Sequence, residues 1–174
     1  MSRVVFLHGL ESGPNGHKPT RLRRSHEVTA PVLPTAEAIA FLSREHAALP
    51  DDVAAAPLRV AAEAVASAQP ELVIGSSFGG GIAAALKAWD GPLVLMAPAA
   101  EKLFRVTRLG RRRGRVVVIH GRRDEVVPCA DSVRLAAESE CDVALWLVDD
   151  DHRLKASVDA GLMDEAIAFA LGVN

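Results

Sequence analysis

The chain has 174 residues, 49% of them apolar and 24% charged, with a formal net charge of −2. That length suits one domain, residues 1–174, with a full hydrophobic core, and the near-neutral charge gives no footing for nucleic acid as a partner. Two cysteines, Cys129 and Cys141, lie outside any C-x-x-C, which excludes a disulfide scaffold and reads as two reduced thiols.

The amino terminus shows no basic n-region followed by an apolar h-region, and no run approaches the roughly 18 apolar residues of a membrane helix. A cytoplasmic protein without a membrane partner is the expectation. No apolar stripe stands apart from the core to announce an oligomer.

Residues 3–7 read as a first strand, unbroken and apolar over 4–7, as expected for a strand covered on both faces. It runs into His8-Gly9-Leu10-Glu11-Ser12-Gly13-Pro14, a Gly/Pro loop at a carboxyl end, where open α/β sheets build their sites. A short basic helix is expected over about 18–25 and a second strand over 27–33. Residues 35–69 are helical in composition, with breaks expected at Pro50 and Pro57 and caps at Thr35 or Asp51.

Residues 72–74 form the next strand, leading into Gly75-Ser76-Ser77-Phe78-Gly79 and an Ala-rich helix that Asp90-Gly91-Pro92 stops. Further strands are expected over 93–96, 115–119 and 143–148, and helices over 131–139 and 154–171. Six short strands alternating with helices imply a parallel, doubly wound sheet. Right-handed crossovers would place alternate helices on opposite faces.

Gly75-x-Ser77-x-Gly79 between a strand and a helix fits the G-x-S-x-G nucleophile elbow. A nucleophile at such an apex must hold a strained backbone, and neighbours two positions away must lack a Cβ because strand and helix crowd them. A slip of the frame would make Ser76 the reactive serine instead. A serine hydroxyl also needs a base, itself oriented by a third group. Residues 115–119 lead into His120-Gly121-Arg122-Arg123-Asp124-Glu125-Val126-Val127-Pro128, and residues 143–148 lead into Asp149-Asp150-Asp151-His152. An acid and then a histidine thus follow the serine in chain order.

These motifs together resemble the α/β-hydrolase superfamily: His8-Gly9 after the first strand, the elbow at Ser77, His120-Gly121-x-x-Asp124-x-x-Val127-Pro128, and Asp151-His152 before the final helix. The resemblance spans nearly the whole chain. It implies a minimal α/β-hydrolase fold and a carboxylesterase- or thioesterase-like enzyme that needs no cofactor. Ser77 would be the nucleophile, Asp124 rather than Glu125 the orienting acid, and His152 the general base. The amides of Leu10 and Phe78 would form the oxyanion hole, with Gly9, Ala99, Phe104 and Val126 toward a small-molecule ester or thioester. The family's usual first two strands are missing, and residues 97–114 leave room for one short helix where larger members insert a lid. The chain is therefore similar to small lidless bacterial esterases, whose open site favours short acyl groups.

Other residues carry competing readings. His8 is expected to hold the first loop, and His17 and His120 to lie near the rim. His26 and His46 read as surface residues. Asp149, Asp150 and Asp151 read as a solvated loop rather than a metal site. The run Arg105, Arg108, Arg111, Arg112, Arg113, Arg115 is either solvated surface or a clamp for an acidic acyl substrate. Gly79-Gly80-Gly81-Ile82-Ala83-Ala84 formally matches G-x-G-x-x-A, which keeps a nucleotide-binding domain as a rival. A non-catalytic binding protein on the same fold is a second rival.

Overall fold

The computed structural model describes residues 1–173. Six strands form one parallel sheet: β1 (Arg3–Leu7), β2 (Glu27–Thr29), β3 (Leu72–Ser76), β4 (Leu93–Met96), β5 (Val116–Gly121) and β6 (Val143–Val148), in the order β2-β1-β3-β4-β5-β6. The helices are α1 (His17–Leu22), α2 (Ala36–Leu42), α3 (Asp51–Ala68), α4 (Phe78–Ala85), α5 (Ala100–Phe104), α6 (Cys129–Glu138), α7 (Lys155–Asp159) and α8 (Leu162–Leu171).

Alternating side chains of the central strands feed two cores. Val5, Leu7, Val73, Leu95 and Val118 pack with α3, α4 and α6, while Val4, Phe6, Ile74, Met96 and Ile119 pack with α1, α7 and α8. The helices do not alternate between faces. Only the β1-to-β2 step runs one way across the sheet, and every later step runs the other way. Right-handed crossovers therefore put α3, α4 and α6 together and leave α1 on the opposite face, where α7 and α8 join it. Strand order reverses between β1 and β3, and Leu7 lies beside Gly75 in register there. The carboxyl ends at such a switch point frame the crevice in which open α/β sheets bind ligands.

Several elements differ from expectation. Pro57 does not break α3: it sits inside the helix with Ala54, Ala61 and Val65 on the buried stripe, where packing of its ring offsets the lost backbone bond. Pro50, not Asp51, occupies the N-cap, and Asp51 and Asp52 place negative charge in the first turn. Thr35 is the N-cap of α2 without a side-chain bond. Strand β2 is three residues long, and α4 ends at Ala85, before Asp90-Gly91-Pro92. The closing helix is two, broken where Gly161 takes φ 101°.

No helix among the described residues is long and apolar enough to cross a membrane.

Candidate active site

The turn from β3 to α4 puts Ser77 at φ 53°, ψ −112°, a region that non-glycine residues rarely occupy. Backbone bonds over-determine it. The Ser77 N–H donates to the Met96 carbonyl at 2.9 Å, and its carbonyl accepts from Gly81 and Ala99, both at 3.0 Å. Close packing explains the flanking glycines. A Cβ on Gly75 would fall 2.3 Å from the Gly79 carbonyl oxygen, and one on Gly79 would fall 2.0 Å from that of Leu7. The frame is the one centred on Ser77; Ser76 is a buried residue of β3.

Three loops converge on Ser77. From the loop after β6, His152 Nε2 lies 2.9 Å from Ser77 Oγ. Its Nδ1 lies 2.7 Å from Asp124 Oδ2, in the loop after β5. A carboxylate only accepts, so Nδ1 carries the proton and Nε2 is free to accept from the serine hydroxyl. The Asp124 side chain is covered, and its Oδ1 accepts the N–H groups of Val126 and Val127, each at 2.8 Å. Burial pushes this carboxyl up, but the Val127 amide, the His152 hydrogen bond and the Val126 amide together hold it below its ordinary value. Glu125 is exposed and makes no such contact.

The loop after β1 supplies the third wall. A Cβ on Gly9 would stand 3.5 Å from Ser77 Cβ. His8 is buried, its Nε2 accepts from the Leu33 N–H at 3.1 Å, and so its Nδ1–H donates to the Gly9 carbonyl at 2.9 Å. The trans peptide then aims the Leu10 N–H away from His8. Among the described residues, neither the Leu10 nor the Phe78 amide donates a hydrogen bond. Both remain available to an oxyanion.

The other expected walls divide. Val126 is exposed and lines a cleft of about 600 Å³ with Lys102, Glu125 and Asp131, beside Asp124. Ala99 is buried, and Phe104 packs on Phe78, with ring centroids 5.6 Å apart, and against Gly81. These two side chains belong to the core under α4.

Four residues that the sequence did not announce hold the His152 loop. Asp150 is buried, and it accepts from the N–H and hydroxyl of Ser157 and from the Asp151 N–H, all at 2.8 Å. Leu154 adopts φ 54° with its side chain wholly in the core. Lys18 Nζ donates to the Arg153 carbonyl at 2.7 Å. A Cβ on Gly121 would strike the Asp150 carbonyl oxygen at 2.4 Å, so the two loops meet at a distance only glycine allows.

Three expectations are corrected. His120 is not at the rim: it is wholly buried behind Asp124. The three aspartates do not form one solvated loop, since Asp150 is the buried cap just described. Asp149 instead pairs with Arg123 at 2.9 Å, and Asp151 accepts from the Arg153 N–H. The glycines of the G-x-G-x-x-A match face Leu7, Pro98 and Phe104 at contact distance, so no cradle for a phosphate opens there.

His17 is exposed and bonds Asp159 at 2.8 Å. The basic run is largely engaged elsewhere. Arg113 grips Asp90 at 2.7 and 2.8 Å, Arg112 donates to the Trp89 carbonyl, and Arg115 lies over the Phe169 ring. Asp90 and Trp89 precede β4, so these cations sit at the amino ends of the strands, opposite Ser77.

Neither a protein-family model nor a curated protein matches the chain by sequence. Solved structures do match by fold. One, described as a hydrolase of the alpha/beta superfamily from Xanthomonas campestris pv. campestris, is 28% identical with a TM-score of 0.75, covering 98% of this chain and 97% of that one. A protein described as a hydrolase from Agrobacterium vitis S4 is 20% identical with a TM-score of 0.66, covering 97% of this chain and 87% of that one. The esterase domain of a Rhodothermus marinus protein is 15% identical with a TM-score of 0.66, over 98% of this chain and 86% of that one. With its all-parallel sheet, elbow and full-length structural likeness, the chain belongs to the α/β-hydrolase superfamily.

Proposed function

We propose that the protein is a serine hydrolase that cleaves a small carboxylic ester or thioester through an acyl-enzyme, with Ser77, His152 and Asp124 as its triad. One observation carries this: an unbroken hydrogen-bonded chain from Ser77 Oγ through His152 to Asp124, at 2.9 and 2.7 Å, rooted in a strained elbow.

In the first half-reaction, Ser77 Oγ attacks the acyl carbon while His152 Nε2 takes its proton. The oxyanion forms between the Phe78 and Leu10 amides, and His152 returns the proton to the departing alcohol or thiol. Water, deprotonated by His152, then attacks the acyl-enzyme and releases the acid. Asp124 keeps the imidazole in the Nδ1–H tautomer and stabilises the imidazolium. Helix α5 is five residues long and lies where a lid would be inserted, which supports an open site and short acyl groups.

The test is intact-mass labelling with a small fluorophosphonate, run beside Ser77→Ala. A single adduct on the wild type and none on the variant supports the reading. A folded wild type that takes no adduct overturns it.

A further inference from the structure

His120 ends β5 with its ring enclosed, four residues before Asp124. Its Nε2 stands 3.0 Å from Asp124 Oδ2 and 3.1 Å from the Val127 carbonyl oxygen. Both neighbours accept only, so Nε2 carries a proton. Its Nδ1 stands 2.6 Å from the hydroxyl of Ser132, on α6. Ser132 is itself buried, and its hydroxyl has no other partner among the described residues. A buried hydroxyl proton must go somewhere, and a bare Nδ1 is the acceptor within reach. An imidazolium would instead set two donors face to face. The ring is therefore neutral, protonated on Nε2, with Ser132 donating to Nδ1.

The Nε2–H bonds the carbonyl of Val127, the residue whose amide holds Asp124 Oδ1, and Nε2 stands 3.0 Å from Oδ2, which also accepts the His152 Nδ1–H. We infer that His120, fixed by Ser132, is a positioning residue: by bonding the Val127 backbone and setting its N–H dipole 3.0 Å from Asp124 Oδ2, it steadies the carboxylate and draws off part of its charge before His152 sees it. This rests on reading Ser77, Asp124 and His152 as a triad. Without the His120 N–H the carboxylate would be freer to turn, and its charge would fall more fully on His152. The other titratable or charged groups near Asp124 are Cys129, in the first turn of α6, with Arg122 beyond it, and Glu101, Lys102, Glu125 and Asp131 of the adjoining cleft; none changes in the variants below.

The experiment compares nitrophenyl acetate hydrolysis by the wild type, His120→Leu, His120→Gln and Ser132→Ala across pH, with melting curves for each. The Leu variant is expected to lose about ten- to a hundredfold in kcat with KM unchanged. The acid limb of its kcat/KM profile should move to higher pH by about half a unit to one unit, since a more charged carboxylate favours the imidazolium. The Gln variant, which keeps an amide donor near the Nε2 position, should restore most of the rate and the limb. Ser132→Ala should lose severalfold less than the Leu variant.

Equal losses in Leu and Gln variants with an unmoved acid limb would make His120 plain core and overturn the inference, as would a Leu variant with wild-type kinetics. If the Leu variant does not fold, ring-nitrogen NMR of the wild type decides: neutral, Nε2-protonated His120 sustains the inference, and any other form overturns it. A wild type unreactive to fluorophosphonate would fell the triad reading instead, and the NMR reading of His120 would still stand or fall alone.

Discussion

Gly79 packs so closely under Leu7 that a Cβ on it would stand 2.0 Å from the Leu7 carbonyl oxygen. The contact is backbone on backbone, so no side chain can move aside. It sets the first turn of α4 against the end of β1, and through it fixes how far Ser77 lies from the Gly9-Leu10 loop. In an open helical position, Gly→Ala stabilises by up to about 1 kcal/mol. Here the sign should reverse: Gly79→Ala is expected to cost about 1–3 kcal/mol or more, read as a lower melting temperature together with lost fluorophosphonate labelling. A higher melting temperature would mean that the elbow is looser than this packing implies.

Asp124→Asn should separate orientation from charge. The oxygen of the new carboxamide would stay on the Val126 and Val127 amides, which leaves its NH2 facing His152 Nδ1 and His120 Nε2. Both are donors, so His152 must adopt the other tautomer, with its proton aimed at Ser77. A fall in kcat of roughly 10³–10⁴ is expected, with about 1–3 kcal/mol of stability lost for the buried NH2 left against the His120 N–H. Steady-state kinetics beside a melting curve checks both halves.

The sheet, the elbow and the three loops were legible because each leaves a local mark: apolar runs for the strands, paired glycines around Ser77, an acid and a histidine just past strand ends. What surrounds them was not legible. His120 resembles any polar residue at a strand end until the register of β5 buries it, and nothing near Ser132 announces a partner twelve residues back. Asp150 was hidden among like neighbours, because which of three adjacent aspartates turns inward depends on α7 docking. Pro57 and the residue at 161 misled in opposite ways. Tertiary packing absorbed the proline, while a glycine at a left-handed turn split a pattern that composition alone reads as one helix. The faces of the helices followed from strand order, which no single stretch of sequence contains.

Asp150→Ala should loosen the His152 loop. It removes the acceptor for three donors in a buried place, at a cost of about 1–3 kcal/mol. Burial pushes the Asp150 carboxyl up, but the Ser157 amide and hydroxyl and the Asp151 amide outweigh it and hold the group below its ordinary 3.8. A carboxylate depressed in the folded state contributes fully above its unfolded value and loses that contribution as pH falls through the folded one. The stability gap between wild type and variant, from urea unfolding, should be full at pH 6 and shrink below about pH 3.8. A gap independent of pH would assign the cost to packing instead.

Lys18 offers the opposite limb. Burial pulls its ammonium from 10.5 down to about 8, against the upward pull of Asp150 and Asp151. Between those values the unfolded chain holds the proton and the folded chain has released it, so stability rises with pH. The contribution is complete above 10.5 and lost as pH falls through about 8. Lys18→Met carries no such dependence. From pH 7 to pH 10 the wild type should therefore gain on the variant by about 1–2 kcal/mol, a figure discounted for the part of the ammonium that water still reaches. Throughout that range the nitrogen can still donate to the Arg153 carbonyl, as ammonium or amine, so the rate of nitrophenyl acetate hydrolysis should follow the loop's integrity rather than Lys18 charge. Urea unfolding of the pair at the two pH values measures the gain, and a flat difference would put the ammonium in bulk water, untied from the His152 loop.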